Sequence, residues 1–213
     1  MIACPVCRAP GPAPFLRVNG ADYWRCGVCM ATVLDPAHRL SAQDEIAHYL
    51  THENDPADPG YRAFLSKLAE PLLARLKPGA EGLDYGCGPG PALAAMLREA
   101  GHPVALYDPF FAPDRAPLAR AYDFIACTET AEHFHTPAQE FDLLGGMLRP
   151  GGWLAVMTCF QTDDARFGGW HYRKDPTHVV FYRAETFAMI AAARGWSCEV
   201  PRKDVALMRV PGA

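Results

Sequence analysis

The pattern of apolar and polar positions changes character twice along the chain. Residues 1–35 are rich in Pro, Gly and Cys and poor in aliphatic side chains, so this stretch cannot build a conventional core by itself. A helix is expected beyond Asp35-Pro36, opened by Ser41 and carrying Asp44 and Glu45 in its first turn, where carboxylates suit the helix dipole. The polar, proline-containing run 54–60 reads as a linker. Apolar residues then recur at helical spacing from Tyr61 to Leu76, and Pro71 is expected to kink or split that helix after Glu70.

From Glu81 onward, short apolar runs alternate with helical patterns. Strands are expected at 83–85, 104–107, 124–127 and 153–158, and helices at 91–100, 139–148 and 185–194. Such alternation argues an α/β fold: a doubly wound, mostly parallel sheet with helices on both faces. Two last strands, 197–200 and 206–210, are joined by only Pro201-Arg202-Lys203-Asp204. That connection is too short for a crossover, so an antiparallel hairpin should end the sheet. The expected division is a cysteine-rich module at 1–35, a helical linker at 36–60 and the α/β domain at 61–213.

Composition narrows the function. The 20 Lys and Arg against 24 Asp and Glu leave a net charge of −4, and no basic stripe of the kind that grips a long polynucleotide is present. Arg173-Lys174 and Arg202-Lys203 read as solvated charge. A small-molecule acceptor is favoured over nucleic acid. No apolar run reaches the roughly 18 residues that span a bilayer, and Met1-Ile2-Ala3-Cys4-Pro5 does not look like a secretory leader. The expected compartment is the cytoplasm, where thiols stay reduced, so the eight cysteines are read as metal ligands or buried thiols.

Cys4-Pro5-Val6-Cys7 and Cys26-Gly27-Val28-Cys29 form two Cys-x-x-Cys pairs with a separation typical of zinc sites. Four thiolates leave no open position for water, so the ion would be structural. A hairpin through Val18-Asn19-Gly20 would bring the pairs together, and the module resembles a zinc ribbon. Loss of its zinc is expected to loosen the first third of the chain only. Cys87, Cys127, Cys159 and Cys198 read as small buried apolar groups.

Leu83-Asp84-Tyr85-Gly86-Cys87-Gly88-Pro89-Gly90 runs from a strand through a glycine turn into a helix, where free N–H groups can meet an anionic ligand. Asp108 closes the next strand, placed to accept from ribose hydroxyls. Tyr122-Asp123-Phe124-Ile125 enters a third strand, and Leu148-Arg149-Pro150-Gly151-Gly152 forms a turn before the fourth. On these motifs the chain, over roughly residues 60–210, resembles the class I S-adenosylmethionine (SAM)-dependent methyltransferases, a Rossmann-like fold. The resemblance implies SAM contacts at Asp84, Tyr85, Gly86, Gly88, Gly90, Asp108 and Thr128. One departure stands out: only thirteen residues separate Asp108 from Tyr122. Pro109, Pro113 and Pro117 oppose the helix and edge strand the family fits there, so that unit should be missing or collapsed into a loop.

Thr128-Glu129-Thr130-Ala131-Glu132-His133 lies at the carboxyl end of the third strand. If a helix starts here, Glu129 and Glu132 share a face with His133 close by, and two carboxylates with an imidazole suit a divalent cation. His178 follows the next strand and could return to the same edge. The pattern is similar to two metal-dependent branches of the superfamily, the ubiquinone-pathway O-methyltransferases and the small-RNA 2′-O-methyltransferases. By that resemblance Glu129, Glu132, His133 and His178 hold the metal (Mn, Fe, Zn or Mg). The plainer reading has Glu132 and His133 as ordinary helix-start residues and Glu129 against cofactor or solvent, with His133 a general base. His48, His52 and Asn54 could cover the site or lie on the surface. The segment Trp170-His171-Tyr172-Arg173 could be a substrate lid or a packed loop, and His135 is expected to be exposed. The leading expectation is metal-assisted O-methylation of a small molecule with vicinal hydroxyls. The rivals are an RNA methyltransferase gripping through the ribbon, a sugar C- or N-methyltransferase, and a non-catalytic SAM-binding or interaction protein.

Overall fold

The computed structural model describes residues 3–51 and 55–212; His52 and Asn54 lie outside them. Strands β1 (Ala13–Val18) and β2 (Ala21–Arg25) form an antiparallel hairpin. Its turn places Asn19 and Gly20 at φ of 52° and 81°, the left-handed pair that the tightest hairpins need. Strand β3 (Thr32–Leu34) adds to β2. Helix α1 (Ala42–Tyr49) follows, capped as expected by the Ser41 hydroxyl, which accepts from the Asp44 amide at 3.2 Å.

Helix α2 (Pro59–Leu73) begins inside the expected linker, with the Asp58 carboxylate accepting from the Gly60 and Tyr61 amides. It runs through Pro71 and is not split after Glu70. The proline sits in the last turn, where few helical hydrogen bonds remain to be lost. The Ala74 amide still reaches Glu70 O, and the Arg75 guanidinium donates to the Pro71 carbonyl at 2.6 Å.

The α/β portion then unfolds as β4 (Gly82–Tyr85), α3 (Ala92–Glu99), β5 (Val104–Tyr107), β6 (Tyr122–Thr128), α4 (Pro137–Gly146), β7 (Leu148–Met157), β8 (Val180–Phe181), α5 (Ala184–Ala192), β9 (Ser197–Arg202) and β10 (Val205–Arg209). Six strands form one mixed sheet in the order β5-β4-β6-β7-β10-β9. The first four are parallel; β10 runs antiparallel to β7 and to β9, as the short 201–204 connection requires. Between β5 and β6 the described backbone holds only an isolated bridge, Asp108 to Ala112, and one 3₁₀ turn, Ala116–Ala119. The expected loss of a helix and strand there leaves β5 at the sheet edge. The expected turn at 148–152 is instead the bulged start of β7, with Gly151 at φ 77° and its amide held by Pro211 O at 2.8 Å.

Side chains alternate across this sheet with the period of two that strands impose. Phe124, Ala126, Ala155, Met157, Val205 and Leu207 pack beneath α2 and α3. Ile125, Cys127, Leu154, Val156, Ala206 and Met208 face the other way, onto α4 and α5. That second core continues without a break into Cys4, Val6, Tyr23, Cys29 and Val33 of the N-terminal segment. A second sheet, in the order β1-β2-β3-β8, makes the junction, because β8 comes from the far end of the chain. Among the described residues no helix is long and apolar enough to cross a membrane.

Candidate active site

A cavity of about 650 Å³ opens at the carboxyl ends of β4, β5 and β6, where open α/β sheets bind ligands. The glycine turn after β4 forms one wall. Gly86 and Gly88 adopt φ of 78° and 62°. A Cβ on Gly86 would fall 2.2 Å from Thr130 Cγ2, so this turn has room only for backbone. Asp108 stitches the wall together: one carboxylate oxygen accepts from the Gly88 amide at 3.0 Å, the other from Phe110 and Phe111 at 2.8 and 3.0 Å. Asp84 is buried at the end of β4. Burial pushes its carboxyl up to about 7, and the Ala94 amide and Arg98 charge offset this only in part. Tyr85 and Thr128 also line the cavity. The Thr128 hydroxyl is buried there without a hydrogen-bond partner.

The opposite wall carries the acidic and histidine residues. Glu132 and His133 sit in a 3₁₀ turn, Ala131–His133, rather than a helix. Glu129 takes a left-handed φ of 48°, so it and Glu132 do not share a helical face. Ligand atoms of Glu132, His133 and His178 lie within 4.8 Å of one another, and Glu129 is outside that group. His133 Nε2 and His178 Nε2 are 3.9 and 4.0 Å from the same oxygen, Glu132 Oε1. Each imidazole donates its other nitrogen, Nδ1, to a backbone carbonyl: Thr177 O at 3.1 Å and Tyr172 O at 2.7 Å. Such bonds fix the tautomer and leave Nε2 with its lone pair free. Glu132 is fully buried and its Oε2 has no hydrogen-bond partner. An orphaned carboxylate oxygen beside two oriented imidazoles is a donor set that fits a divalent cation. Burial lowers the His178 pKa, which favours the neutral, ligating form.

Several residues at this wall were missed or only half seen in the sequence. Tyr172 donates to Glu132 Oε1 at 2.5 Å, stands 3.3 Å from Glu129 Oε2 and meets the Thr158 hydroxyl at 2.9 Å. Thus the segment 170–173 does reach the site, through Tyr172 and the cavity-lining His171. Burial, and then the negative Glu132, push the Glu129 carboxyl up to about 9. Asp175 Oδ2 lies 3.9 Å from His178 Nε2 and 3.3 Å from His48 Nε2. Burial alone would raise the Asp175 pKa, but the Thr177 hydroxyl and amide hold it down at about 2. Helix α1 reaches over the cavity: Glu45 accepts from the exposed His135 at 2.8 Å, and the Tyr49 ring packs edge-on against His133.

The four N-terminal cysteines converge separately. Their sulfurs lie within 4.8 Å of one another, with Cys4–Cys29 and Cys7–Cys26 at 3.7 and 3.6 Å. A tetrahedron of about 2.3 Å zinc–sulfur bonds has edges of about 3.8 Å. The two pairs build matching knuckles: Arg8 and Met30 take φ of 63° and 62°, and their amides return to Cys4 O and Cys26 O. All eight cysteines are free thiols. Cys127 is fully buried as expected, whereas Cys87, Cys159 and Cys198 are half-buried, and Cys87 lines the cavity.

A doubly wound sheet with a glycine turn, an acidic residue at the end of the next strand and a cavity between them is the fold of the class I SAM-dependent methyltransferases. The chain belongs to the methyltransferase domain family, whose sequence model matches residues 52–199. It is 31% identical over 154 residues to the ubiquinone biosynthesis O-methyltransferase of Xylella fastidiosa (strain 9a5c), covering 59% of this chain and 61% of that relative's length. Among solved structures it resembles the 1,6-didemethyltoxoflavin-N1-methyltransferase of Burkholderia thailandensis, bound to its namesake and S-adenosylhomocysteine. That match has a TM-score of 0.52 and 18% identity, over 93% of this chain and 99% of the other. The N-methyltransferase NodS of Bradyrhizobium japonicum, also with S-adenosylhomocysteine, gives 0.50 and 18% over 79% and 97%. Both likenesses are of fold. The chain therefore carries a methyltransferase domain, spans about three-fifths of the length of that curated relative, and shares the fold of SAM-dependent methyltransferases.

Proposed function

We propose that this enzyme is a metal-assisted O-methyltransferase of a small molecule with vicinal hydroxyls, and that a structural zinc sits among Cys4, Cys7, Cys26 and Cys29. The observation that carries the reading is the convergence of two tautomer-fixed imidazoles, His133 and His178, on the buried carboxylate of Glu132, whose Oε1 accepts from Tyr172 and whose Oε2 has no hydrogen-bond partner. Glu129, one Tyr172 hydroxyl away, is the remaining ligand of the expected set. Two neutral imidazoles tilt the preference from Mg²⁺ toward Mn²⁺, Fe²⁺ or Zn²⁺. SAM supplies the electrophilic methyl group, and the ion would acidify and orient the accepting hydroxyl.

The chain's own residues supply position and charge. Gly86 and Gly88 let the donor approach the backbone, Asp84, Tyr85 and Gly90 complete that wall, and Asp108 stands ready for the ribose hydroxyls. The buried Thr128 hydroxyl has bonding capacity to offer a ligand. Holding donor and acceptor in line is the main catalytic requirement of methyl transfer. His133 Nε2 serves the ion; without one, the same atom is the nearest base for the hydroxyl proton. Among the described residues, the cavity lining includes seven carboxylates and no lysine or arginine. This favours an uncharged or cationic small acceptor over the phosphates of an RNA end.

Assay with a catechol acceptor tests the reading. A chelator treatment that leaves one zinc per chain, checked by elemental analysis, is expected to abolish methyl transfer with SAM affinity within twofold of its starting value. Added Mn²⁺ should restore turnover in the wild type and not in His178→Ala. Full turnover in metal-depleted enzyme would contradict the metal assignment. Retention of zinc in Cys4→Ser/Cys26→Ser would contradict the cysteine site.

A further inference from the structure

We infer that the cysteine module is a positioning device for the Glu132–His133–His178 site, setting two of its ligands through the strand pair β3–β8; the inference rests on the metal reading above. The second knuckle closes at Ala31, whose carbonyl accepts from the Cys26 amide, and β3 begins at the next residue. Thr32 pairs with Phe181 and Val33 with Val180. The Leu34 amide donates to Val179 O at 2.9 Å, and the Val179 amide donates to Glu132 O at 2.9 Å. Val179 immediately follows His178. Its peptide is therefore clamped between β3 and the backbone of Glu132, inside a fully buried apolar core. A shift of β3 moves His178 and Glu132 with it.

Two further ties run from the module to this wall. The carbonyl of Pro5, inside the first knuckle, accepts from the Ala138 amide at 2.9 Å, in the first turn of the helix that follows the Glu132–His133 turn. Arg173, beside Tyr172, donates to the Tyr23 hydroxyl at 3.2 Å. The glycine turn is held mainly by other supports, with the Gly86 and Cys87 amides donating to Tyr107 O and Gly88 to Asp108; its one side-chain tie to the other wall is the Thr130 hydroxyl, which donates to Gly86 O at 3.2 Å. The expected consequence is selective. Losing the cysteine-bound ion should slacken the histidine–carboxylate wall and spare the SAM wall, since misplacing the supports of metal ligands weakens metal binding strongly.

Zinc-free full-length protein, stripped by chelator under reducing conditions and dialysed, provides the test, with Cys29→Ser as an independent route. Titration is expected to give Mn²⁺ affinity at least tenfold weaker, SAM affinity within twofold, and loss of the ¹⁵N signals of the Nδ1–H groups of His133 and His178. Returning one equivalent of zinc to the stripped protein should restore the Mn²⁺ affinity and the Nδ1–H signals. Unchanged Mn²⁺ affinity would overturn the inference. So would a parallel loss of SAM binding, which marks a general scaffold rather than a positioning device. If zinc-replete protein binds no Mn²⁺, the metal reading fails by itself, and the imidazole signals still decide this inference: their persistence without zinc overturns it.

Discussion

Asp84 is a residue at which burial and charge are in open conflict. Its carboxyl is held up to about 7 by burial, against an ordinary value near 3.9 when unfolded. Between those values the folded chain keeps a proton that the unfolded chain has released. Stability therefore falls as pH rises through that window, by up to about 1.4 kcal/mol per pH unit, and the loss levels off above about 7. Asp84→Asn is expected to remove this component, so that its denaturation midpoint gains on wild type as pH goes from 4 to 7. Parallel midpoints across that range would show Asp84 to be ionised in the fold. The residues around the second wall differ in how far the sequence reveals them. Glu132, His133 and His178 could be grouped from the sequence because residue types able to hold a metal cluster at a strand end, and the fold brings these three together. Tyr172 was not, because a phenol forty residues downstream has no spacing that announces a carboxylate partner. Nor could spacing reveal that Glu129 turns left-handed and leaves the helical face assumed for it.

At the level of elements, the glycine turn illustrates how much a missing Cβ matters. Gly86 combines positive φ with a side-chain neighbour that would be 2.2 Å away. Gly86→Ala is expected to cost about 1–3 kcal/mol of stability and to weaken SAM binding at least tenfold by calorimetry. Adding Thr130→Ala removes the clashing methyl and hydroxyl but neither the Cβ contact nor the backbone strain, so recovery should be partial; complete recovery would show that strain plays no role. The sheet itself was legible because its strands are apolar and its helices amphipathic, and the parallel-then-antiparallel order followed from loop lengths. Pro71 misled because a proline near a helix end removes little. The turn at 148–152 misled because Gly151 and Gly152 signal a break, whereas the chain end at Pro211 pairs with the bulge. The two residues of β8 were invisible as a strand, since their partner lies about 150 positions earlier and nothing local records it.

Across the whole molecule, the cysteine module and the catalytic sheet share one apolar core. The expectation that zinc loss would loosen only the first third assumed separate interiors, and the pairing of β3 with β8 removes that assumption. Zinc removal is now expected to reach the active-site wall, and a lower thermal transition should be seen for the whole chain rather than a separate early step. Among the described residues the cavity lining carries carboxylates and no lysine or arginine. A divalent ion is expected between the two imidazoles and Glu132, facing the donor. Anomalous diffraction at the manganese edge, from crystals grown with Mn²⁺ and SAM, addresses it directly. The expected result is one peak within roughly 2.0–2.3 Å of His133 Nε2, His178 Nε2 and a Glu132 oxygen. SAM density in the glycine-walled cavity with no manganese peak at those three side chains would contradict it.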